Sequence, residues 1–285
     1  MTINILISAG ELAEAIKTTS MVIIDTRDSS EYNLGHIPGA INVRDIFSYL
    51  PTSTSEGINE MQQKFASIFG SAGLSGKEVA VIYEDAMQTG FGQSCRGYVL
   101  LKYLGYEKVA ILDGGFKSWV AAGLDVSIDI PNIEPVIFPI NDTYEDILIS
   151  KNQLLNMLDD PSVKLLDVRD VDEWIGASSS PYGVDFCPRK GRIPGAVWIE
   201  WYRMMKQPIN GCKFKLPNEI LAECRTVGIN KDSKVIIYCF KGARAANTFV
   251  ALKLAGIKHI KIYFGSWNEW SRDYSLPIQE CFVAS

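Results

Sequence analysis

Six cysteines stand in the 285-residue chain, at 95, 187, 212, 224, 239 and 281, and one of them has a setting suited to nucleophilic chemistry. The run Val235 to Tyr238, rich in β-branched residues, leads directly into Cys239-Phe240-Lys241-Gly242-Ala243-Arg244-Ala245-Ala246, where a helical pattern begins. A thiol at such a strand-to-helix junction meets the positive end of the helix dipole, and Lys241 and Arg244 add cationic charge. These surroundings favour the thiolate, the nucleophilic form. Gly242 lets the backbone curl so that successive N–H groups can face the sulfur, a nest for an anion or a persulfide. The expected site is therefore Cys239 with Phe240, Lys241, Gly242, Ala243, Arg244 and Ala245 as its loop. No histidine is needed to activate the thiol, and the chain has only two, His36 and His259. The remaining cysteines lack this setting and are expected to be structural or incidental. No two cysteines form a C-x-x-C pair of the kind that nucleates zinc or dithiol sites, and neither metal nor other cofactor is expected.

The elements that must position this loop are written twice in the chain. Asp25-Thr26-Arg27-Asp28 with Glu31 is echoed by Asp167-Val168-Arg169-Asp170 with Glu173, and Ile37-Pro38-Gly39-Ala40 returns as Ile193-Pro194-Gly195-Ala196. Ile82-Tyr83 matches Ile237-Tyr238. The stretch 101–119 matches 252–270, keeping Leu101/Leu252, Gly105/Gly256, Gly114/Gly265 and Trp119/Trp270. Shared order with loop-sized changes in spacing indicates duplication, the second copy carrying an insertion at Ala177 to Lys190. Where the second copy has Cys239 the first has Glu84. A carboxylate cannot form a persulfide, so the first copy should be catalytically silent.

Within each copy, short apolar runs alternate with helical patterns, the signature of βαβ units. The runs are Met21 to Ile24, Val79 to Tyr83 and Val109 to Leu112, then Val163 to Leu166, Val235 to Tyr238 and Ile260 to Tyr263. Helices are expected at 11–17 (capped by Ser8), 59–69, 97–104, 151–158, 218–226 and 243–254. Runs apolar on both faces predict an α/β fold in which each copy is a mainly parallel sheet flanked by helices on both faces. Pro131, Pro135 and Pro139 mark an extended connection. The expected division is a silent first domain at 1–130, a linker at 131–146 and a second domain at 147–285 carrying the cysteine. Asp25/Arg27 and Asp167/Arg169 are expected to form ion pairs that hold turns, with Arg169 also a candidate for contact with the active loop. Trp119, Trp267 and Trp270 are expected to close the cores.

Composition narrows the function. With 47% hydrophobic and 21% charged residues the chain has the make-up of a globular protein. Twenty-eight Lys and Arg against 33 Asp and Glu give a net charge of −5, which offers no broad cationic surface for nucleic acid or anionic lipid. No apolar run approaches the ~18 residues that span a bilayer, and the start lacks a basic segment followed by an apolar one. The expectation is a soluble, cytoplasmic monomer with no nucleic-acid or membrane partner.

The Asp-x-Arg motif followed by Glu, the Gly-His-Ile-Pro-Gly-Ala of 35–40 and the strand ending in Cys-x-x-Gly-x-Arg together resemble the rhodanese family of sulfurtransferases. The tandem layout, with the loop cysteine only in the second copy, is similar to the thiosulfate and 3-mercaptopyruvate sulfurtransferases, and the closing Gly265-Ser266-Trp267-Asn268-Glu269-Trp270 agrees. The resemblance implies two rhodanese-like domains and a ping-pong reaction. Cys239 would take a sulfane sulfur from a small anionic donor, thiosulfate or 3-mercaptopyruvate. It would then pass that sulfur to a thiophilic acceptor such as cyanide or a thiol. Loop amides would stabilise the thiolate and persulfide, while Lys241 and Arg244, with Arg169 and Arg192 as further candidates, would bind the donor.

Two alternatives stand beside this reading: a persulfide carrier that serves a partner protein, and a phosphatase of the same fold. The related phosphatases use C-x5-R, whereas four residues separate Cys239 from Arg244, giving a tighter ring suited to one sulfur atom. Two departures bear on donor binding. Glu173 occupies a position where the animal enzymes of the family carry a donor-binding arginine. Arg189, Lys190 and Arg192 could replace that cation or form a solvated basic turn.

Overall fold

The computed structural model describes residues 4–140, 146–206 and 212–280. Two five-stranded sheets, each entirely parallel, carry the fold. The first contains β1 (Leu6–Ile7), β2 (Met21–Asp25), β3 (Ile41–Asn42), β4 (Val79–Tyr83) and β5 (Val109–Leu112), in the order β1-β5-β4-β2-β3. The second contains β6 (Leu148–Ile149), β7 (Val163–Asp167), β8 (Val197–Trp198), β11 (Lys234–Tyr238) and β12 (His259–Tyr263), in the matching order β6-β12-β11-β7-β8. Between β8 and β11 in sequence, β9 (Met205–Lys206) and β10 (Lys213–Phe214) form an antiparallel pair. The central strands are buried along nearly their whole length, which explains their unbroken apolar runs.

Helices α1 (Ala9–Ala15), α2 (Ser29–Leu34), α3 (Asp45–Ser48), α4 (Ser55–Ser71), α5 (Gln93–Tyr103) and α6 (Gly115–Ala121) belong to the first sequence copy. In the second they are α7 (Lys151–Leu155), α8 (Val171–Trp174), α9 (Pro217–Arg225), α10 (Ala243–Leu254) and α11 (Ser266–Trp270). Ser8 and Ser150 cap α1 and α7 with the same capping box, closed by Glu11 and Gln153 respectively. Several helices begin earlier than periodicity suggests. The apolar stripe marks where a helix packs, whereas α4 and α5 start with polar or small residues that the stripe does not include. Grouped by contact, the described residues of 1–49, 59–146 and 205–214 form one compact unit, and those of 50–58, 147–204 and 215–285 the other. Each unit thus takes in a short segment that linear order assigns to the other copy.

One buried motif recurs in both sheets. At the end of β7, the Arg169 guanidinium forks onto the Asp167 carboxylate at 2.6–3.0 Å and donates to the Gly191 carbonyl at 2.8 Å. The Tyr238 hydroxyl donates to the same carboxylate at 2.6 Å and accepts from the Ile193 amide at 3.2 Å. In the first unit Arg27, Asp25, Gly35, Tyr83 and Ile37 repeat this arrangement bond for bond. Each core gathers around it: Ile236, Trp267 and Trp270 with Tyr238 in one, and Ile23, Val81 and Trp119 with Tyr83 in the other. Asp167 and Arg169 have no exposed surface. Removing one partner of such a pair leaves an uncompensated charge in the interior. Asp167→Asn should therefore lower stability by about 3–5 kcal/mol, and Asp25→Asn should act in the same direction, both measurable as a fall in the urea unfolding midpoint.

Candidate active site

Tyr238 is the last residue of the central strand β11, so the ion-pair motif beneath it fixes where the next residue, Cys239, emerges. The chain then turns within three residues into α10. Gly242 caps that helix at φ 91°, in the left-handed region, and its amide donates to the Cys239 Sγ at 3.1 Å. A Cβ at this position would stand 2.6 Å from the Phe264 ring, so both the backbone angle and the space require glycine. Cys239 is 1% exposed. Its loop is tied from the other side by α11, where the Trp267 and Asn268 amides donate to the Cys239 and Phe240 carbonyls at 3.0 Å each. Ser266, at φ 55°, accepts from the Cys239 amide at 3.3 Å and donates to the Tyr263 carbonyl at 2.8 Å. A non-glycine residue in that conformation is strained, and these two bonds hold it there.

The cations around the thiol divide into two kinds. Lys241, 7% exposed, lies with its ammonium 5.4 Å from the centre of the Tyr182 ring, which in turn packs against Phe240. Arg244, 4% exposed, is gripped by two carboxylates. Its guanidinium donates to both oxygens of Glu173, at 2.6 and 3.1 Å, and stands 3.0 Å from Asp170. Burial alone would weaken the hold of Arg244 on its proton, but Glu173, Cys239 and Asp170 outweigh that effect and keep it firmly cationic. Arg244, a candidate for the donor's anionic end, is thus engaged by two carboxylates in this structure. Its fork is already filled, and it fixes the first turn of α10. Arg169, the further candidate, is enclosed by Asp167, the Gly191 carbonyl and the Trp267 ring, 4.5 Å away, and shares the Asp167 carboxylate with Tyr238.

In the basic turn, Arg189 donates to the carbonyls of Trp270, Ser271, Asp273 and Leu276, so it ties the insertion to the segment after α11. Lys190 donates to the Ala177 carbonyl, and Arg192 packs over the Trp174 ring at 4.1 Å. Among the other cysteines, burial pushes the thiols of Cys187 and Cys212 up to about 11 and that of Cys224 to about 12, a setting that disfavours nucleophilic thiolate. Cys95 is buried, and Cys281 lies outside the described residues. No group of three or more metal-ligating side chains occurs among the described residues.

The first copy preserves the frame with a different occupant. The Phe116 and Lys117 amides donate to the Glu84 and Asp85 carbonyls, as Trp267 and Asn268 do for Cys239 and Phe240, and Gly115 takes the left-handed place of Ser266. Glu84 points its carboxylate at the start of α5, accepting from the Ser94 amide at 3.1 Å. It is wholly buried, and burial pushes its carboxyl up to about 8. Spacing and charge did not single out Ser266 or Asp170, and Glu173 stood out only as an acid where the animal enzymes carry an arginine, not as a partner of Arg244. Their signals, Ser after Gly265 and two acids after Arg169, read locally as a helix start and a polar turn.

A cysteine at the carboxyl end of a central parallel strand, cradled by a helix N-terminus in the second of two repeated α/β units, defines a class of protein. The chain belongs to the rhodanese family: the Rhodanese-like domain model matches residues 8–122 and 150–273. It is 26% identical over 276 residues to a thiosulfate sulfurtransferase of Azotobacter vinelandii, covering 96% of this chain and 97% of that protein. It is 27% identical over 282 residues to the sulfur carrier protein TtuD of Thermus thermophilus, covering 96% of each. The fold also superposes on wild-type EanB with a TM-score of 0.82 at 23% identity, covering 98% of this chain and 69% of that one.

Two substitutions check this geometry. Gly242→Ala should cost roughly 1–3 kcal/mol of stability and slow alkylation of Cys239 by iodoacetamide, because the amide facing the sulfur is displaced. Glu84 is raised above its unfolded value, so its contribution to stability is full below about pH 4.5 and is lost as pH rises through about 8. Denaturant titrations between pH 5 and 9 should show Glu84→Gln gaining on the wild type as pH rises.

Proposed function

We propose that the chain is a sulfurtransferase that works through a persulfide on Cys239. The supporting observation is the thiol held at the mouth of α10, with the Gly242 amide aimed at its sulfur and no side-chain base required. In the first step the Cys239 thiolate attacks the outer sulfur of the donor. With thiosulfate, the S–S bond breaks, sulfite departs with the bonding electron pair, and Cys239 retains one added sulfur. In the second step a thiophilic acceptor, cyanide or a thiolate, attacks that terminal sulfur and restores the Cys239 thiolate. Amides of the 240–245 turn and the dipole of α10 stabilise negative charge on both sulfur species. Lys241 is the loop cation assigned to the donor, while Arg244 and Arg169 position the loop. The relative named a thiosulfate sulfurtransferase makes thiosulfate the first donor to test, beside 3-mercaptopyruvate, which would leave as pyruvate enolate.

The resemblance to a sulfur carrier supports a second reading, in which the same persulfide is delivered to a partner protein. Both readings require the adduct on Cys239. Intact-protein mass spectrometry after incubation with thiosulfate, or separately 3-mercaptopyruvate, should show a one-sulfur gain that cyanide removes. Cys239→Ser should show none. Absence of the adduct with either donor would overturn the enzyme reading for small donors, and rapid turnover with cyanide would disfavour the carrier.

A further inference from the structure

Within the sulfur-transfer reading, on which this inference rests, we infer that Glu173 and Asp170 set the class of donor by cancelling the positive charge of the active loop. They do so to the disadvantage of dianions such as thiosulfate and in favour of organic persulfides that carry a single negative charge. The loop offers two cations, Lys241 and Arg244. Facing Arg244 are two carboxylates, Glu173 in a two-pronged contact and Asp170 at 3.0 Å, so these four side chains sum to zero. The neighbouring Asp167–Arg169 pair also cancels. Glu200 adds a further carboxylate beside α8, accepting from the Val171 amide at 3.1 Å and from the Tyr202 hydroxyl. Arg192, over the Trp174 ring of α8, offsets that charge, and a thiolate on Cys239 then turns the local balance negative.

With Arg244 neutralised, the attraction left for an anion comes from Lys241, the loop amides and the helix dipole, the last two short-ranged and matched to a single sulfur. Thiosulfate brings two charges into this field and pays the repulsion of Glu173 and Asp170 twice. A hydropersulfide, R–S–SH or its monoanion, pays it at most once. It transfers sulfur by the same balanced step: the Cys239 thiolate attacks the outer sulfur, the S–S bond breaks, the thiolate R–S⁻ leaves with the bonding electron pair, and Cys239 gains the outer sulfur with any proton it carries. Glu173 is thus a specificity-determining residue that acts through Arg244, and Asp170 reinforces it from the solvent side, where it is 40% exposed.

The test compares two donors, thiosulfate and 2-mercaptoethanol persulfide, by the second-order rate at which Cys239 gains one sulfur, read by intact mass after an alkylating quench. Glu173→Gln and Asp170→Asn each remove one charge and keep a hydrogen-bond acceptor for Arg244. Glu173→Gln should raise the thiosulfate rate relative to the persulfide rate by about fivefold, the scale of one unit charge acting through a partly screened site. Asp170→Asn should shift the ratio in the same direction by less. Both gains should shrink at about 1 M salt, where screening acts over roughly 3 Å, a response that lost packing would not give. An unchanged ratio, or an equal loss with both donors, would overturn the inference while leaving the persulfide chemistry standing. Failure of wild-type Cys239 to take sulfur from either donor would overturn the chemistry and the inference together. Should Glu173→Gln fail to fold, the half-exposed Asp170→Asn decides alone.

Discussion

The buried Asp167–Arg169–Tyr238 cluster is the constraint on which the active half depends. A carboxylate and a guanidinium can be taken from water only when their hydrogen-bonding capacity is met. The bonds that meet most of it here, leaving Arg169 Nη1 without a partner, bring together the end of β7, the end of β11, the Gly191 carbonyl and the Ile193 amide. The cluster thereby fixes two strand ends and the Ile-Pro-Gly-Ala turn at once. Cys239 is the residue after Tyr238, so its Cα position follows from an ion pair that it does not itself contact. The same cluster in the first unit fixes Glu84. Duplication has preserved the support and changed what stands on it.

The two occupants show what the cradle is for. Each lies at the end of a central strand, with its carbonyl held by an amide from the helix after the last strand. Each faces the N-terminus of the following helix, through the Gly242 amide for Cys239 and the Ser94 amide for Glu84. A helix start attracts negative charge, and the first copy supplies its own in the form of a carboxyl group. That group is so thoroughly enclosed that burial raises its proton affinity, and the interior holds it at the edge of ionisation. In the second copy the position is taken by a sulfur, smaller and able to expand its bonding to a second sulfur. The loop of the first copy is thus filled by its own carboxyl group, and that of the second carries a thiol in the same place.

Much of this was legible in the sequence because it is written locally. The strand Val235 to Tyr238, the glycine at 242 and the helix over 243–254 declare themselves through apolar runs and a left-handed cap, and the structure returns that helix with the same limits. The Asp-x-Arg pairs are two residues apart, so their ion pairing could be anticipated. Contacts between distant segments could not. Nothing in the spacing of Glu173 and Arg244 announces a bond across 71 residues, and an arginine five places after a nucleophile reads naturally as a ligand for substrate. The two-residue strands β1, β3, β6 and β8 escaped for a related reason: they are too short to show a period and exist only through their neighbours. Ser266 was hidden by chemistry, since a left-handed serine has no sequence signature until its hydroxyl partners are known.

The pairing of Arg244 also changes how the site must generate its field. A bare guanidinium at 4% exposure would be costly to bury, and Glu173 and Asp170 remove that cost. They also remove most of its reach, because a neutralised pair projects little potential beyond its own length. What remains for a sulfur anion, beside Lys241, is a set of oriented amides at close range. Such dipoles discriminate by position more than by charge: they favour an anion centred on one atom at the mouth of α10 and offer little to charge spread over a larger group. A loop built in this way is suited to a single terminal sulfur and gives little stabilisation to further negative charge carried behind it.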